Sequence, residues 1–270
     1  MNIYITQGGI GKTVAFTSIL DKLDNKICIS SYWGGIFNHH PNIDTIYPFY
    51  DWNQLTNKLF YERFNEIVYH EPYYGEFLKG KLHLIEAFHQ KYNLKFEGHY
   101  HNVVFSEEEN KYYYDLSQQI GDFVMVQFVG SDADFNRDIN EIGTRNLDIP
   151  TAQKLINILR FDFKLSVIDV NNTNSFFENI YQPPHPLYYR DYLNLLRFSK
   201  TFISIDSCLN HMSAYKDTPK KGICLWRDED YGKLFQYPHN INLYSERPFT
   251  VRFSLDSICK NVEEILNVPR

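Results

Sequence analysis

Two short clusters of polar residues, each at the end of an apolar run, carry the chemistry this sequence can do. The first is Asp206-Ser207, with His211 four residues beyond the serine. It follows the run Thr201-Phe202-Ile203-Ser204-Ile205 and precedes a second run over 222–226, with Leu209, Met212 and Ala214 recurring between them at helical spacing. That pattern predicts a strand, a helix and a strand. A helix that starts directly from a strand leaves its first backbone N–H groups facing outward at the carboxyl edge of the sheet, where they attract anions, phosphate above all. Ser207 has the side-chain chemistry of an N-cap, and His211 lies one turn later, within reach of whatever the helix start holds. Lys216, Lys220 and Lys221 add positive charge nearby. The same residues also suit an ordinary α/β domain in which Ser caps a helix and the His is buried.

The second cluster is Gly8-Gly9-Ile10-Gly11-Lys12-Thr13, between an apolar strand that begins at Asn2 and a helix that runs to Leu23. A Gly-rich loop that opens a helix with Lys-Thr resembles a P-loop. The full pattern needs Gly at position 6, where this chain has Thr6, and the deviant form of the ParA and MinD ATPases needs Lys where it has Gln7. With Phe202 to Asp206 as a Walker-B strand, a P-loop ATPase is the alternative function.

Asp206-Ser207-x-x-x-His211-x-x-Ala214, followed by Thr218-Pro219 and a short apolar strand, is similar to the D-S-G-x-x-H-x-x-A…T-P signature of the family-nine glycosyltransferases, the ADP-heptose:lipopolysaccharide heptosyltransferases and their relatives. The resemblance implies a GT-B fold of two Rossmann-like doubly wound parallel-sheet domains facing a cleft. It further implies transfer of a sugar, with inversion and without a metal, from a nucleotide-diphosphate-sugar donor to an acceptor hydroxyl. No cofactor is implied beyond that donor, which is a substrate. Cys208 stands where the family has Gly.

Carried over residue by residue, the resemblance assigns Asp206, Ser207 and His211 to the donor's diphosphate, and Gly9 and Gly11 to a loop that lets the sugar approach the backbone. Gly130 and Ser131 with Arg137 line the diphosphate and nucleoside side, and Trp226 borders the base or ribose. Lys12 occupies the place of the family's general-base Asp. An amine of this type is protonated at neutral pH, which makes it a poor base and a natural holder of phosphate or carboxylate. The base then comes from His70 or Glu71, with His39 and His40 behind them. Asp132-Ala133-Asp134 has the spelling of a metal-binding D-x-D, but its place just after Gly130-Ser131 reads as a turn. A non-catalytic nucleotide-sugar binding protein is a further reading that Lys12 keeps open.

Stepping outward from these sites, 270 residues suffice for one large α/β domain or two small ones. A formal net charge of −6 argues against a surface that binds nucleic acid or anionic membrane as a whole. Lipid-linked saccharide, protein and modified nucleic acid all remain as acceptors, the last disfavoured by that charge. The 17% aromatic content reads as a bulky core. Four Cys without a C-x-x-C pair fit a reducing cytoplasm. The chain opens directly into a strand with no leader pattern, and no apolar run is long enough to span a bilayer. Two strand–helix alternations divide the chain into an acceptor-side domain, 1–120, and a donor-binding domain, 121–270, whose last helix is placed to pack back on the first. Within them the sequence predicts a helix near 53–64, a helix over 79–92, and a short strand at 103–105. A single continuous sheet is the alternative to two.

Overall fold

The computed structural model describes residues 2–6, 8–23, 26–48, 56–57, 64, 66–70, 75–130, 146–170, 177–245 and 253–267. The chain divides into two compact units, Met1–Glu107 and Glu108–Arg270, each with its own sheet rather than a share in one.

The first unit holds strands β1 (Asn2–Thr6), β2 (Ile27–Ser31), β3 (Ile43–Pro48) and β4 (Glu66–His70) in the order β3-β2-β1-β4, all parallel. In β1 the side chains alternate: Ile3 and Ile5 join Cys28 and Tyr47 in one core, while Tyr4 faces the other way onto Phe16 of helix α1 (Ile10–Leu20). All eleven residues of α1 are buried, including Lys12, Thr13, Thr17 and Ser18. Thr17 meets this by donating to the Val14 carbonyl and accepting from the Asn102 amide.

After the single turn α2 (Gly75–Leu78), α3 covers Leu84–Lys91, shorter than the predicted 79–92. It starts late because His83 caps it, accepting from the Ile85 amide while Glu86 accepts from the His83 amide. Residues 103–105 are not a strand. Most of the predicted helix over 53–64 lies outside the described residues.

The second unit opens with helix α4 (Glu107–Ile120), followed by β5 (Phe123–Gln127), α5 (Ile149–Phe161), β6 (Ser166–Asp169), α6 (Tyr189–Leu196), β7 (Thr201–Ile205), α7 (Cys208–Met212), β8 (Ile223–Trp226), α8 (Glu229–Gly232), β9 (Ile241–Tyr244) and α9 (Leu255–Leu266). The sheet runs β6-β5-β7-β8-β9, again all parallel. Its central strands β5, β7 and β8 are buried along their whole length, whereas the edge strand β9 is only half-buried. The division of the chain falls between Glu107 and Glu108, in the first turn of α4, a helix that the sequence places in the first domain, 1–120. Tyr113 donates to Asp191 and Arg190 pairs through two N–H groups with Glu109, tying α4 to α6. The last helix places Ile258, Cys259 and Val262 in the second unit's own core.

Candidate active site

In the second unit the site grows from the carboxyl ends of β5 and β7, which are neighbours with Gln127 opposite Ser204. Asp206 and Ser207 follow β7 directly, and α7 begins at Cys208, as the run-then-helix pattern predicts. Ser207 is the N-cap residue in extended conformation, but its hydroxyl makes no capping bond. The Leu209 amide instead donates to Gln127 Oε1 at 3.1 Å, and the Cys208 thiol reaches the same oxygen at 3.4 Å. One of the outward N–H groups at this helix start is therefore taken by protein. Gln127 is fully buried, and its Nε2 has no hydrogen-bond partner among the described residues. With only five residues, α7 carries a small macrodipole, so individual N–H groups matter more here than the helix as a whole.

His211 is turned into the unit. It is 6% exposed, its Nδ1 is 2.9 Å from the Tyr237 hydroxyl, and its ring meets Phe235 and Tyr237 edge to face. Burial holds the Tyr237 phenol well above its ordinary pKa, so it stays protonated and can donate to the imidazole. The next residue back, Asn210, is the hub of a buried polar web. Its Nδ2 donates to the Phe235 carbonyl, and its Oδ1 accepts from the Cys224 thiol and from Asn240 Nδ2. Asn240 also reaches Ser213 Oγ, which lies 3.1 Å from His239 Nε2. Burial pushes the Cys208 thiol up to about 11, and burial with the nearby Asp206 charge raises Cys224 further from its ordinary value. Neither cysteine is a thiolate at neutral pH.

Gly130 follows β5, and its amide donates to Asn146 Oδ1 at 2.8 Å, which fixes the exit of the chain at this sheet edge. Ser131 and Arg137, together with the Asp132–Asp134 triplet, lie outside the described residues. Trp226 is wholly buried and gives its indole N–H to Asn242. Its ring packs over Gly232, where a Cβ would come within 3.3 Å, so in this structure it is a core residue rather than a surface for a base. Asp206, Ser207 and Gly130 are thus brought to one sheet edge, whereas His211 and Trp226 face inward. Sequence reasoning missed Gln127, Asn210, Tyr237 and Asn240. Gln127 alone had a legible signal, as a polar residue interrupting the run Phe123 to Val129.

In the first unit β1 leads into the Gly8-Gly9 turn. Gly8 has φ 93°, a region that favours glycine, and its carbonyl accepts from Trp33 Nε1 at 2.9 Å. Gly9 is the N-cap of α1, and Gly11, Lys12 and Thr13 form its first turn. The Lys12 side chain folds back so that a Cβ on Gly8 would lie 3.0 Å from its Nζ. His70 ends β4 in register with Thr6, which puts its backbone at the same sheet edge. Glu71 lies outside the described residues. His40 is buried, accepts from the Asn42 amide and sits 3.2 Å from Asp21, with burial lowering its pKa. His39 is exposed and adopts φ 65°. Among the described residues no group of three or more His, Cys, Asp or Glu is arranged to hold a metal.

The ATPase alternative needs Gly8 to Thr13 and the Walker-B candidate Phe202 to Asp206 on neighbouring strands of one sheet. They belong to different sheets in different units, which removes the pairing.

Two all-parallel α/β units in tandem are the fold of a class of solved glycosyltransferases, and the likeness runs through the whole chain. A family 9 glycosyltransferase from Veillonella parvula DSM 2008 is similar over 98% of this chain and 97% of its own, with TM-score 0.67 and 9% sequence identity. The ADP-heptose lps heptosyltransferase II of E. coli matches over 99% of both chains, with TM-score 0.65 and 9% identity. E. coli heptosyltransferase WaaC with ADP-2-deoxy-2-fluoro heptose covers 98% of this chain and 99% of its own, with TM-score 0.63 and 11% identity. No protein-family model matches the sequence, and no curated protein matches it significantly. The parallel-sheet α/β architecture expected from the resemblance is therefore present.

Proposed function

We propose that this protein is a glycosyltransferase that moves a sugar from a nucleotide-diphosphate-sugar donor to an acceptor hydroxyl. The observation that carries the reading is full-length likeness to family-nine glycosyltransferases, combined with Asp206 and Ser207 emerging where β7 meets α7. Neither alone would suffice, since a fold hosts many functions and a short motif recurs by chance.

In this reading the donor's diphosphate lies against the backbone N–H groups at the start of α7, with Ser131 and Arg137 as further donors. Gln127 and Tyr237 act at one remove: the first holds the Leu209 amide and the second holds His211, so both fix the helix that presents those N–H groups. Preorganised donors of this kind stabilise the leaving diphosphate as its charge grows, which is the term a metal supplies in other transferases. The transfer is accordingly metal-independent and inverting, with Glu71 or His70 as the group that takes the acceptor proton.

The test is a thermal-shift panel of UDP-, GDP-, ADP- and CMP-sugars, followed by nucleoside-diphosphate release with and without EDTA. One class of nucleotide sugar should raise the melting temperature, and EDTA should leave turnover unchanged. Stabilisation by ATP with magnesium and by none of the nucleotide sugars would overturn the proposal.

A further inference from the structure

Lys22 lies in the turn that ends α1, and its ammonium ties three places in the first unit together. It donates to the Lys95 carbonyl at 2.7 Å, meets the Glu97 carboxylate at 3.1 Å, and lies 3.3 Å from Nε2 of His89 on α3. An ammonium has three N–H groups, so all of them are spent. His89 is 2% exposed, and its Nδ1 lies 2.9 Å from the Ile85 carbonyl one turn back. A carbonyl only accepts, which puts the ring proton on Nδ1 and leaves Nε2 bare, facing Lys22. The contact therefore requires a neutral imidazole.

The stretch held in this way is 95–100, on the path of the chain from α3 to α4, and it contains neither helix nor strand. Just before it the Leu94 amide donates to the His89 carbonyl; just after it the Asn102 amide donates to Thr17 Oγ1, and Asn102 Nδ2 to Asp21. Between these anchors Phe96 is half-buried, its ring edge to face with His89 and His99. His99 meets the ring of His83 and lies 3.5 Å from Glu86.

A second proton on His89 would sit on Nε2, aimed at an ammonium 3.3 Å away. Donor would face donor and charge would face like charge, so Lys22 has to withdraw, and its holds on Lys95 and Glu97 go with it. The surrounding charges agree in sign. Burial above all, and Lys22, lower the His89 pKa against the opposing pull of the Ile85 carbonyl, Glu97 and Glu86. Lys22 holds Glu97 below its ordinary carboxylate value, so Glu97 stays ionised while His89 titrates. Burial lowers His99 as well, but that ring faces the Glu86 carboxylate and gains an ion pair when charged. His40 faces Asp21 in the same way.

The geometry points to an acid-released latch: neutral His89 keeps Lys22 in place over 95–100, and protonation of its Nε2 expels the ammonium and frees that stretch while the anchors at Leu94 and Asn102 hold. The device stands whether or not the chain transfers a sugar. The open form takes up the proton first, so the latch is complete above about pH 6.5 and weakens as pH falls below it.

Limited proteolysis of the full chain with papain, at about pH 7.5 and about pH 5.5 with cut sites located by mass spectrometry, tests the latch. Each rate is divided by that of a free peptide of residues 93–102 at the same pH, so that it tracks the open population. In the wild type the normalised rate within 95–100 should rise several-fold in acid, towards the roughly tenfold that one proton bound at about 6.5 permits. His89→Gln keeps an acceptor oxygen but cannot become charged, and should remove the rise. Lys22→Met should give fast cleavage at both pH values. Nitrogen NMR of the wild type at the higher pH should show the His89 proton on Nδ1. A flat wild-type profile, a full rise in His89→Gln, a rise that only His99→Gln abolishes, or a proton on Nε2 would each overturn the inference. So would equally fast cleavage within β1 and β5, since the whole protein and not the latch would then be opening. If His89→Gln does not fold, Lys22→Met and the tautomer measurement carry the test.

Discussion

Gly222→Ala will destabilise the second unit through one identifiable contact. Gly222 enters β8 beside Phe202 of β7, and a Cβ added there would lie 2.2, 2.3 and 2.7 Å from three atoms of the Phe202 ring. Carbon atoms in contact sit at about 3.5–4.0 Å, so the ring would have to move by more than about 1 Å. Phe202 has no room for that, being fully buried. Overpacking of this kind destabilises by about 1–3 kcal/mol. Because the ring is locked in place, the upper part of that range, about 2–3 kcal/mol, applies, and the lower entropy of the unfolded alanine chain offsets roughly 0.4–1 kcal/mol of it, which leaves a net loss of about 1–2.6 kcal/mol. Phe202→Leu opens space at the same point. The double variant should therefore be more stable than the sum of its parts by at least about 1 kcal/mol, as expected for residues in contact. Urea unfolding followed by Trp226 fluorescence, with Trp33 and Trp52 changed to Phe, reports on the second unit. Wild-type stability of Gly222→Ala, or simple additivity in the double variant, would refute the reasoning.

Stability should also fall on the acid side. Burial holds the His239 imidazole down to about 4, and burial likewise lowers His40, His89 and His99 below their ordinary value. For a depressed histidine the unfolded chain binds the proton first. The stabilisation is therefore fully present above about pH 6.5 and is lost as pH falls toward 4. His239 alone accounts for a loss of about 3 kcal/mol, measurable as a decline of the urea midpoint over that window that His239→Gln makes shallower. Asn210→Ala should cost about 2–4 kcal/mol, because it strands the Cys224 thiol and the Phe235 carbonyl and leaves Asn240 Nδ2 with Ser213 Oγ alone; calorimetric melting of the variant checks it.

The architecture was largely legible because both sheets are parallel, and parallel strands are announced by apolar runs that alternate with helices. β1, β2, β5 and β7 are of this kind. What escaped were decisions made by tertiary contacts. α3 starts at Leu84 because His83 and Glu86 form a cap, which nothing in the apolar spacing of 79–92 announces. α4 has a polar face suited to a linker, yet its place is set by Asp191 and Arg190, some eighty residues further along the chain. In the site, the order Asp206-Ser207-helix was readable from spacing. The direction of His211 was not, since it depends on Tyr237, twenty-six residues away. A histidine on a short helix has the same spelling whether it faces a ligand or a phenol.

Every described strand pairing in the molecule is parallel. No strand can therefore find its neighbour through a tight hairpin, and each pairing must wait for an intervening crossover to condense. β5 illustrates this, since β7 reaches it only after the intervening residues 128–200, which include α5, β6 and α6, have been threaded. Such topology slows the search for the native state and leaves half-formed sheets with open edges while it proceeds. Assembly of this protein should accordingly be governed by temperature and crowding during synthesis more than by any single contact in the finished fold.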